Sequence, residues 1–265
     1  MRYRITTLLL LAPMLSFAQA PMTDTNATRT SMLTVQIWSD VVCPFCYIGK
    51  REFENALERF PHKDSVLVEW KSFELDPNAP ATSNENTYTM LARKYGMSIA
   101  DAKARVGSVT DRARSVGLDY NFEATVIANS FQAHRVIQLA KTKGLGDVAE
   151  ERLFKAYFTE GANIGDPTIL VRLGTEIGLD ANEVNDLLAG QGFSEAVRTD
   201  EYEAQQLGIR GVPFFAIDRK YGISGAQSAD HFLSALEQAW KERPATESLG
   251  GAVCEPGKAD CLPGE

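Results

Sequence analysis

The chain has 265 residues, of which 44% are hydrophobic and 23% are charged, so it can bury a sizeable core and is neither fibrous nor mainly disordered. The formal net charge is −8 and the basic residues are scattered, which argues against nucleic acid as a partner. The four cysteines are too few for a disulfide scaffold in a chain of this size. Beyond the N-terminus, no segment is apolar enough to predict a membrane span.

Residues 1–20 have the pattern of a secretory signal peptide. Two arginines are followed by an apolar stretch and by Ala18-Gln19-Ala20, a small-x-small cleavage site. The apolar stretch is shorter than the roughly 20 residues of a membrane span. We therefore expect cleavage and export to the periplasm, with residues 21–31 as a disordered leader. The alternatives are an uncleaved anchor, or a true start at Met32 and a cytoplasmic protein.

The first part of the mature chain predicts a parallel βαβ unit. Alternating and β-branched residues predict strands at 33–38 and 66–75. Between them, apolar residues at helical spacing predict a helix at about 44–60, which Pro61 ends. Strand, helix and strand in this order are typical of an α/β fold.

The middle of the chain, from about residue 84 to 190, carries helix signals and no convincing strand. Ser98 with Asp101 resembles a capping box. Asp166-Pro167 resembles an N-cap with proline in the first turn, and Gly178 would end that helix. We predict an all-helical subdomain inserted into the α/β fold.

The α/β pattern resumes after residue 190. Helices are expected at 194–207 and 228–240, on either side of two strands at 213–217 and 221–224. The prediction is one α/β domain interrupted by a large insertion. Its bounds are residues 32–80 and 191–242 for the domain, 81–190 for the insertion, and 243–265 for a flexible Gly- and Pro-rich tail.

Cys43-Pro44-Phe45-Cys46 stands where the first strand gives way to the first helix. A thiolate rather than a thiol attacks disulfides, and the free N–H groups and dipole of a helix N-terminus stabilise such an anion. Cys46 lies one turn further on and faces inward. We therefore expect Cys43 to attack and Cys46 to resolve the mixed disulfide. Because zinc sites share the C-x-x-C spacing, the motif alone is only moderately specific.

Several segments, including the one that contains the dithiol, resemble segments of a known family. They are residues 38–49, 73–77, 133–135, 153–158, 211–215 and 225–227. In the same order, they resemble the FrnE-like branch of the DsbA family, within the thioredoxin superfamily. The resemblance covers about residues 33–242. It implies a thioredoxin-like fold with an inserted helical subdomain, and disulfide oxidoreductase or isomerase activity, and it carries over to Cys43, Cys46 and Pro213.

Thioredoxin-like folds place a cis proline beside the active dithiol, at the topological position of Pro213. We predict a cis bond between Val212 and Pro213, which would leave the Val212 backbone free to pair with a substrate strand. The alternative is an ordinary trans proline at the start of a strand.

The sequence departs from the family pattern in two respects. The strongly oxidising DsbA type has a histidine in place of Phe45, where it helps to hold the thiolate, so we expect a less oxidising dithiol here. Many members of the branch look cytosolic, whereas this chain has a leader. The expected partners are protein thiols and disulfides and a soluble or membrane-bound recycling protein, and the chemistry calls for no cofactor or metal.

Cys254 and Cys261 form a second close pair, in the tail. A disulfide across so short a loop would stabilise the fold by less than the ~3 kcal/mol of a 15-residue loop. By resemblance to FrnE-like proteins with a cysteine pair in the tail, the pair is a candidate auxiliary dithiol that exchanges electrons with Cys43 and Cys46. A small structural clip is the alternative.

Asp40 and His134 are not expected to take part in the chemistry. Asp40 could influence the proton of nearby Cys43, but we interpret it as a solvated acid at the end of the strand. His134 lies on a predicted helix of the insertion, where a lone histidine is more often a structural hydrogen-bonding residue than a proton carrier.

Two other functions stay open from the sequence. A glutathione-dependent isomerase or transferase of the 2-hydroxychromene-carboxylate isomerase or kappa type shares this fold, but such enzymes typically carry serine at the position of Cys43. A non-catalytic zinc-binding or holdase protein would use the four cysteines as ligands. Proline inside the first pair and the wide spacing of the second argue against zinc.

Overall fold

The computed structural model describes residues 32–243, and its centre is a four-stranded mixed sheet. The strands are β1 (Leu33–Ser39), β2 (Val66–Ser72), β3 (Phe214–Ile217) and β4 (Tyr221–Ser224). They lie in the order β2-β1-β3-β4, with β1 parallel to β2, β1 antiparallel to β3, and β3 antiparallel to β4. The predicted α/β class and the predicted pair of late strands are confirmed.

Helices connect and cover the sheet. They are α1 (Pro44–Arg59), α2 (Thr87–Tyr95), α3 (Ile99–Ser115), α4 (Phe131–Thr142), α5 (Gly146–Phe158), α6 (Pro167–Glu176), α7 (Ala181–Ala189), α8 (Ser194–Gln206) and α9 (Ala229–Lys241), with a short 3-10 turn at Lys63–Ser65. Six of them, α2 to α7, follow one another between β2 and α8 without an intervening strand in the described chain, as the predicted helical insertion requires.

The central strand β1 is buried on both faces. Val35 packs with Phe53 of α1 and Phe232 of α9 on one side of the sheet. Trp38 packs with Ala204 of α8 on the other side. This double burial explains the nearly continuous apolar run in the sequence of β1.

The inserted helices have an apolar core of their own, and that core extends to the start of α1. Phe154 of α5 stacks on Tyr47 of α1, with ring centroids 4.9 Å apart. Cys43 and Cys46 belong to this cluster rather than to the cluster between the sheet and α9. The first turn of α1 therefore lies where the sheet domain and the inserted helices meet.

Two elements differ from the sequence expectations. Strand β2 ends at Ser72 rather than at residue 75. The Phe73 N–H still donates to the Ser39 carbonyl oxygen, but the N–H of Glu74 donates to the Glu201 side chain and that of Leu75 to the Asp40 side chain. Helix α2 was not predicted as a separate element, although its N-cap Asn86 accepts a hydrogen bond from the Thr89 N–H at 2.9 Å.

Within residues 32–243, no helix is both long enough and apolar enough to cross a membrane.

Candidate active site

Cys43 occupies the N-cap position of α1. Its backbone is extended (φ −92°, ψ 114°), and Pro44 opens the helix. No side chain of the described residues caps this end. Pro44 has no N–H and the Cys46 N–H donates to the Cys43 carbonyl oxygen, so the Phe45 N–H remains available to an anion. The Cys43 thiol donates a hydrogen bond to the Val212 carbonyl oxygen, with 3.5 Å between sulfur and oxygen.

The peptide bond between Val212 and Pro213 is cis, as predicted. The bond lies just before β3, which pairs with β1, and this pairing brings Val212 against Cys43. The Val212 N–H donates to no group among residues 32–243. An extended chain approaching Cys43 would therefore find a free backbone donor at Val212.

Gly49 allows α1 to approach the cis-proline loop closely. A Cβ atom on Gly49 would lie 3.1 Å from Pro213 Cγ and 3.4 Å from Phe215 Cζ. In the sequence, Gly49 stands out only as the last residue of a segment that resembles the family. A glycine inside a helix is the signal that could have identified it as a contact point.

Cys46 lies deeper than Cys43 with respect to the open surface. It is 1% exposed, and it does not line the cavity that Cys43 borders. Burial raises the pKa of the Cys46 thiol well above its ordinary value, and the neighbouring Cys43 raises it further. Both cysteines are free thiols, so the structure represents the dithiol form.

Asp40 is fully buried, and the interpretation of Asp40 as a solvated acid is wrong. Its carboxylate accepts hydrogen bonds from the backbone N–H groups of Leu75 at 2.7 Å and Val42 at 3.2 Å. His134 Nε2 lies 3.5 Å from the same carboxylate. These donors replace water, which is why the acid can be buried.

His134 is also fully buried, on α4. Burial by itself lowers the pKa of His134, but the nearby carboxylate of Asp40 brings the pKa above its ordinary value. The His134 ring and the Asp40 carboxylate are thus buried side by side, where the loop before Cys43 meets the insertion.

Glu150 of α5 is a third buried ionisable group, and the sequence analysis missed it. It is 1% exposed, and its Oε2 has no hydrogen-bond partner among the described residues. Burial raises the pKa of Glu150 to about 7, although the nearby charges of His134 and Lys50 lower it. The pattern of an amphipathic helix predicts that a glutamate is exposed, so the sequence does not indicate that Glu150 is buried.

Tyr120, from the loop after α3, holds the first turn of α1 in place. Its hydroxyl donates to the Pro44 carbonyl oxygen at 2.7 Å, and its ring stacks on Phe158 with centroids 4.7 Å apart. No sequence pattern identifies Tyr120 as a site residue, because only the folded chain brings it to the dithiol.

A cavity of about 590 Å³ adjoins Cys43, between the start of α1, the cis-proline loop and helices α2 and α3. Its volume lies within the roughly 300–1,000 Å³ typical of ligand sites. The walls are mainly apolar, and Arg105 is the one lysine or arginine among the described residues that line it. The apolar side chains that line it include Phe45, Met90, Leu91, Val109 and Phe122.

Cys254 and Cys261 lie outside the described residues, as do the predicted signal peptide and leader. Between residues 32 and 243, no three His, Cys, Asp or Glu side chains are grouped so as to hold a metal ion.

A family model for the DSBA-like thioredoxin domain matches residues 34–237. The chain belongs to the DSBA-like thioredoxin domain family. The predicted resemblance to DsbA proteins and the predicted thioredoxin-like fold are thereby confirmed. The range of the match includes both cysteines of the C-x-x-C and the cis proline.

A curated relative and two solved structures that resemble the chain agree with this family assignment. A probable DsbA oxidoreductase from Streptomyces coelicolor is 41% identical, with a TM-score of 0.78 over 88% of this chain and 100% of that one. The uncharacterized protein YwbO of Bacillus subtilis is 30% identical over 79% of this chain and 98% of that protein. The cytosolic disulfide reductase DsbM from Pseudomonas aeruginosa, solved with GSH, shares the fold, with a TM-score of 0.57 at 18% identity over 79% of this chain and 100% of that one. The DSBA-like protein described here is, in general terms, a thioredoxin-fold oxidoreductase.

Proposed function

We propose that this DSBA-like protein exchanges disulfides with protein thiols, with Cys43 as the nucleophile and Cys46 as the resolving thiol. The observation that carries the proposal is the position of Cys43. It occupies the N-cap position of α1, donates a hydrogen bond to the Val212 carbonyl oxygen, and opens onto an apolar cavity. A sulfur in this position can reach a substrate disulfide, which a thiolate attacks.

In the reductive direction, the Cys43 thiolate attacks one sulfur of a substrate disulfide. A bond between Cys43 and the substrate forms, the substrate disulfide breaks, and the other substrate sulfur leaves as a thiolate. Cys46 then gives up its proton and attacks the Cys43 sulfur. The Cys43–Cys46 disulfide forms, the second substrate thiolate leaves, and both substrate thiolates take up protons. Two electrons pass from the dithiol to the substrate, and the oxidative direction is the reverse.

Two features support a polypeptide as the substrate. The Val212 N–H is free to pair with an extended backbone, and the neighbouring cavity offers apolar walls to a substrate side chain. Unfolded or partly folded proteins supply both an extended backbone and exposed apolar side chains.

Insulin reduction tests the proposal. We expect the protein, reduced with dithiothreitol and freed of it, to reduce insulin disulfides stoichiometrically, and the Cys43→Ser variant to lose this activity. Cys46→Ser should instead accumulate a mixed disulfide between Cys43 and insulin, visible by mass spectrometry. Full activity of Cys43→Ser would refute the assignment of the nucleophile.

The auxiliary role of Cys254 and Cys261 is part of the same proposal, supported by their spacing and by resemblance. The double variant Cys254→Ser/Cys261→Ser serves as a control in the insulin assay. With an auxiliary dithiol, we expect the reduced wild type to deliver more electrons per chain than this variant. Equal yields would favour a structural clip. We also propose that the protein acts in the periplasm and that a soluble or membrane-bound partner recycles the dithiol there.

A further inference from the structure

Disulfide exchange requires Cys46 to carry a negative charge in surroundings that oppose it. Cys46 is 1% exposed, and burial raises the pKa of its thiol, as does the adjacent Cys43. Yet Cys46 must be a thiolate when it attacks the mixed disulfide, and it leaves as a thiolate in the reverse direction. A buried anion needs hydrogen-bond donors close to it.

Ser39 provides a buried hydroxyl that is not used elsewhere. It ends β1, is 0% exposed, and its Oγ has no hydrogen-bond partner among residues 32–243. Ser72, its partner in the β1–β2 register, is also buried, but the Ser72 hydroxyl accepts a hydrogen bond from Gln138 Nε2 at 3.0 Å. Because an unpaired buried hydroxyl costs free energy, the one on Ser39 requires an explanation.

The buried Ser39 hydroxyl is close enough to Cys46 to affect the charge of its thiol, although the two groups form no hydrogen bond in the dithiol form. Against the larger effect of burial, the Asp40 backbone N–H and the Ser39 hydroxyl both lower the pKa of Cys46. A neutral thiol is a weak hydrogen-bond acceptor, whereas an anion is a strong one. The unpaired state of Ser39 in the dithiol form is therefore explained if its partner is the thiolate that forms during the reaction.

We propose that Ser39 is a catalytic residue of the resolving step, where its hydroxyl donates a hydrogen bond to the Cys46 thiolate. The proposal rests on the function proposed above. In this step the Cys46 proton is released to solvent, the thiolate attacks Cys43 Sγ, and the Cys43–Cys46 bond forms. The Cys43–substrate bond breaks, and the substrate leaves with the electron pair as a thiolate. Ser39 forms no covalent bond, and together with the Asp40 N–H it stabilises the charge on Cys46.

Other ionisable groups also face Cys46 or its near surroundings. By element, they are Cys43 at the N-cap of α1, Asp40 after β1, Tyr120 after α3, His134 on α4 and Glu150 on α5, with Lys50 of α1 behind Glu150. Since all of them are unchanged in a Ser39 variant, the difference from the wild type reports on the hydroxyl.

The test uses the full chain in a Cys254→Ser/Cys261→Ser background, so that only Cys43 and Cys46 react. Reduced protein is mixed with one equivalent of dithiobis(nitrobenzoate), and released thionitrobenzoate is followed by absorbance. The first release reports attack by Cys43, and the second reports attack by Cys46 on the mixed disulfide. The variants are Ser39→Ala and, as the matched control, Ser72→Ala.

We expect Ser39→Ala to leave the first release unchanged and to slow the second about three- to tenfold below the pH at which Cys46 ionises. The pH midpoint of the second release should rise by about one unit, and the rates should converge above it, because a more basic thiolate is intrinsically the better nucleophile. Ser72→Ala should change neither phase.

The outcomes separate this inference from the proposed function. Absence of a first release that depends on Cys43 would contradict the proposed function itself. A normal first release with an unchanged second release and pH midpoint in Ser39→Ala would overturn the role of Ser39 alone. Because the hydroxyl has no partner in the dithiol form, Ser39→Ala should be at least as stable as the wild type, and failure of this variant to fold would also overturn the proposal.

Discussion

Behind the dithiol, three ionisable residues lie buried next to one another: Asp40, His134 and Glu150. Backbone donors and His134 compensate the carboxylate of Asp40. Glu150 is less well compensated, since one of its oxygens has no partner among the described residues. Burying a charge is costly, so the folded protein favours the neutral form of Glu150.

The pKa of Glu150 makes stability depend on pH. Burial raises this pKa from its ordinary value of 4.5 to about 7, so between these values the folded state holds a proton that the unfolded state has released. The contribution of Glu150 to stability is therefore present at low pH and is lost as the pH rises through this window. We expect Glu150→Gln to be more stable than the wild type at pH 8, by up to about 3 kcal/mol, and to lose this advantage at pH 4. Urea unfolding at several pH values measures the difference.

The adjacent Glu151 provides a control of opposite sign. Burial would raise its pKa, but hydrogen bonds from Arg51 and Tyr47 bring it below the ordinary value. Its stabilising effect is present above the unfolded pKa and is lost as the pH falls. Glu151→Gln should therefore be less stable than the wild type at pH 8 and approach it in acid. The same pH trend in both variants would contradict the assignment of these charges.

At the residue scale, the sequence predicted the positions of the candidate site residues better than their surroundings. The pattern of Cys43 and Cys46 is local, and the position of Pro213 follows from the topology of the fold. The burial of Asp40 depends on Leu75 and His134, which are distant in the chain. No local pattern encodes such contacts, which is why Asp40 was misread and Glu150 was missed.

At the scale of elements, the geometry of the site depends on how closely α1 approaches the cis-proline loop. We expect Gly49→Ala to lower stability by about 1–3 kcal/mol, because its methyl group would meet the Pro213 ring and the Phe215 side chain. Insulin reduction should slow as well, since displacement of the loop moves Val212 away from Cys43. Urea unfolding and the insulin assay measure the two effects.

Gly107 in α3 is the matched control for Gly49. A Cβ atom on Gly107 would meet nothing within 4 Å, so Gly107→Ala should gain helix propensity and stabilise the protein by about 0.5–1 kcal/mol. If both glycine variants were equally stable and active, close approach at Gly49 would not be a constraint on the site.

Helices α2 and α3 form one wall of the cavity beside Cys43, and Val109 of α3 faces it half-buried. We expect Val109→Trp to fill part of the cavity and to raise KM about tenfold for peptide disulfides with an aromatic residue next to the cysteine. Peptides with alanine at that position should be affected much less. Ala104→Trp, on an exposed part of α3, is the control, and an equal effect of both variants would show that the cavity does not bind the side chain.

The helices that the sequence predicted best were those with capping signals at their ends. Capping residues and glycines predicted α3 and α6 near their observed positions. Helix α2 has comparable signals, with Asn86 at its start and Gly96 in a left-handed conformation at its end. Its short length and mixed composition hid it, because little of its surface is buried.

At the scale of the whole molecule, the change from alternating to helical periodicity predicted the inserted helices. The sequence could not predict where these helices dock, since docking depends on side-chain pairs from distant segments. Lys50 of α1 lies 3.2 Å from the carboxylate of Asp147, and the Tyr47 hydroxyl donates to Glu151 at 2.6 Å. Such pairs fix α5 against the helix that carries the cysteines.

Export is the prediction that concerns the chain as a whole. If residues 1–20 are a cleaved signal peptide, the protein recovered from the periplasm should begin at Pro21, as N-terminal sequencing or intact mass would reveal. Replacing Ala18 and Ala20 by bulky residues should block processing. A protein that begins at Met32 and stays in the cytoplasm would contradict export.

Because the first turn of α1 packs into the core of the inserted helices while the rest of α1 packs on the sheet, one helix connects two separately built cores. Evolution can thus vary the inserted helices, and with them the reactivity of the cysteines, without redesigning the sheet. Two relatives with the same sheet and the same C-x-x-C can differ in redox behaviour for reasons that lie far from either cysteine in the chain.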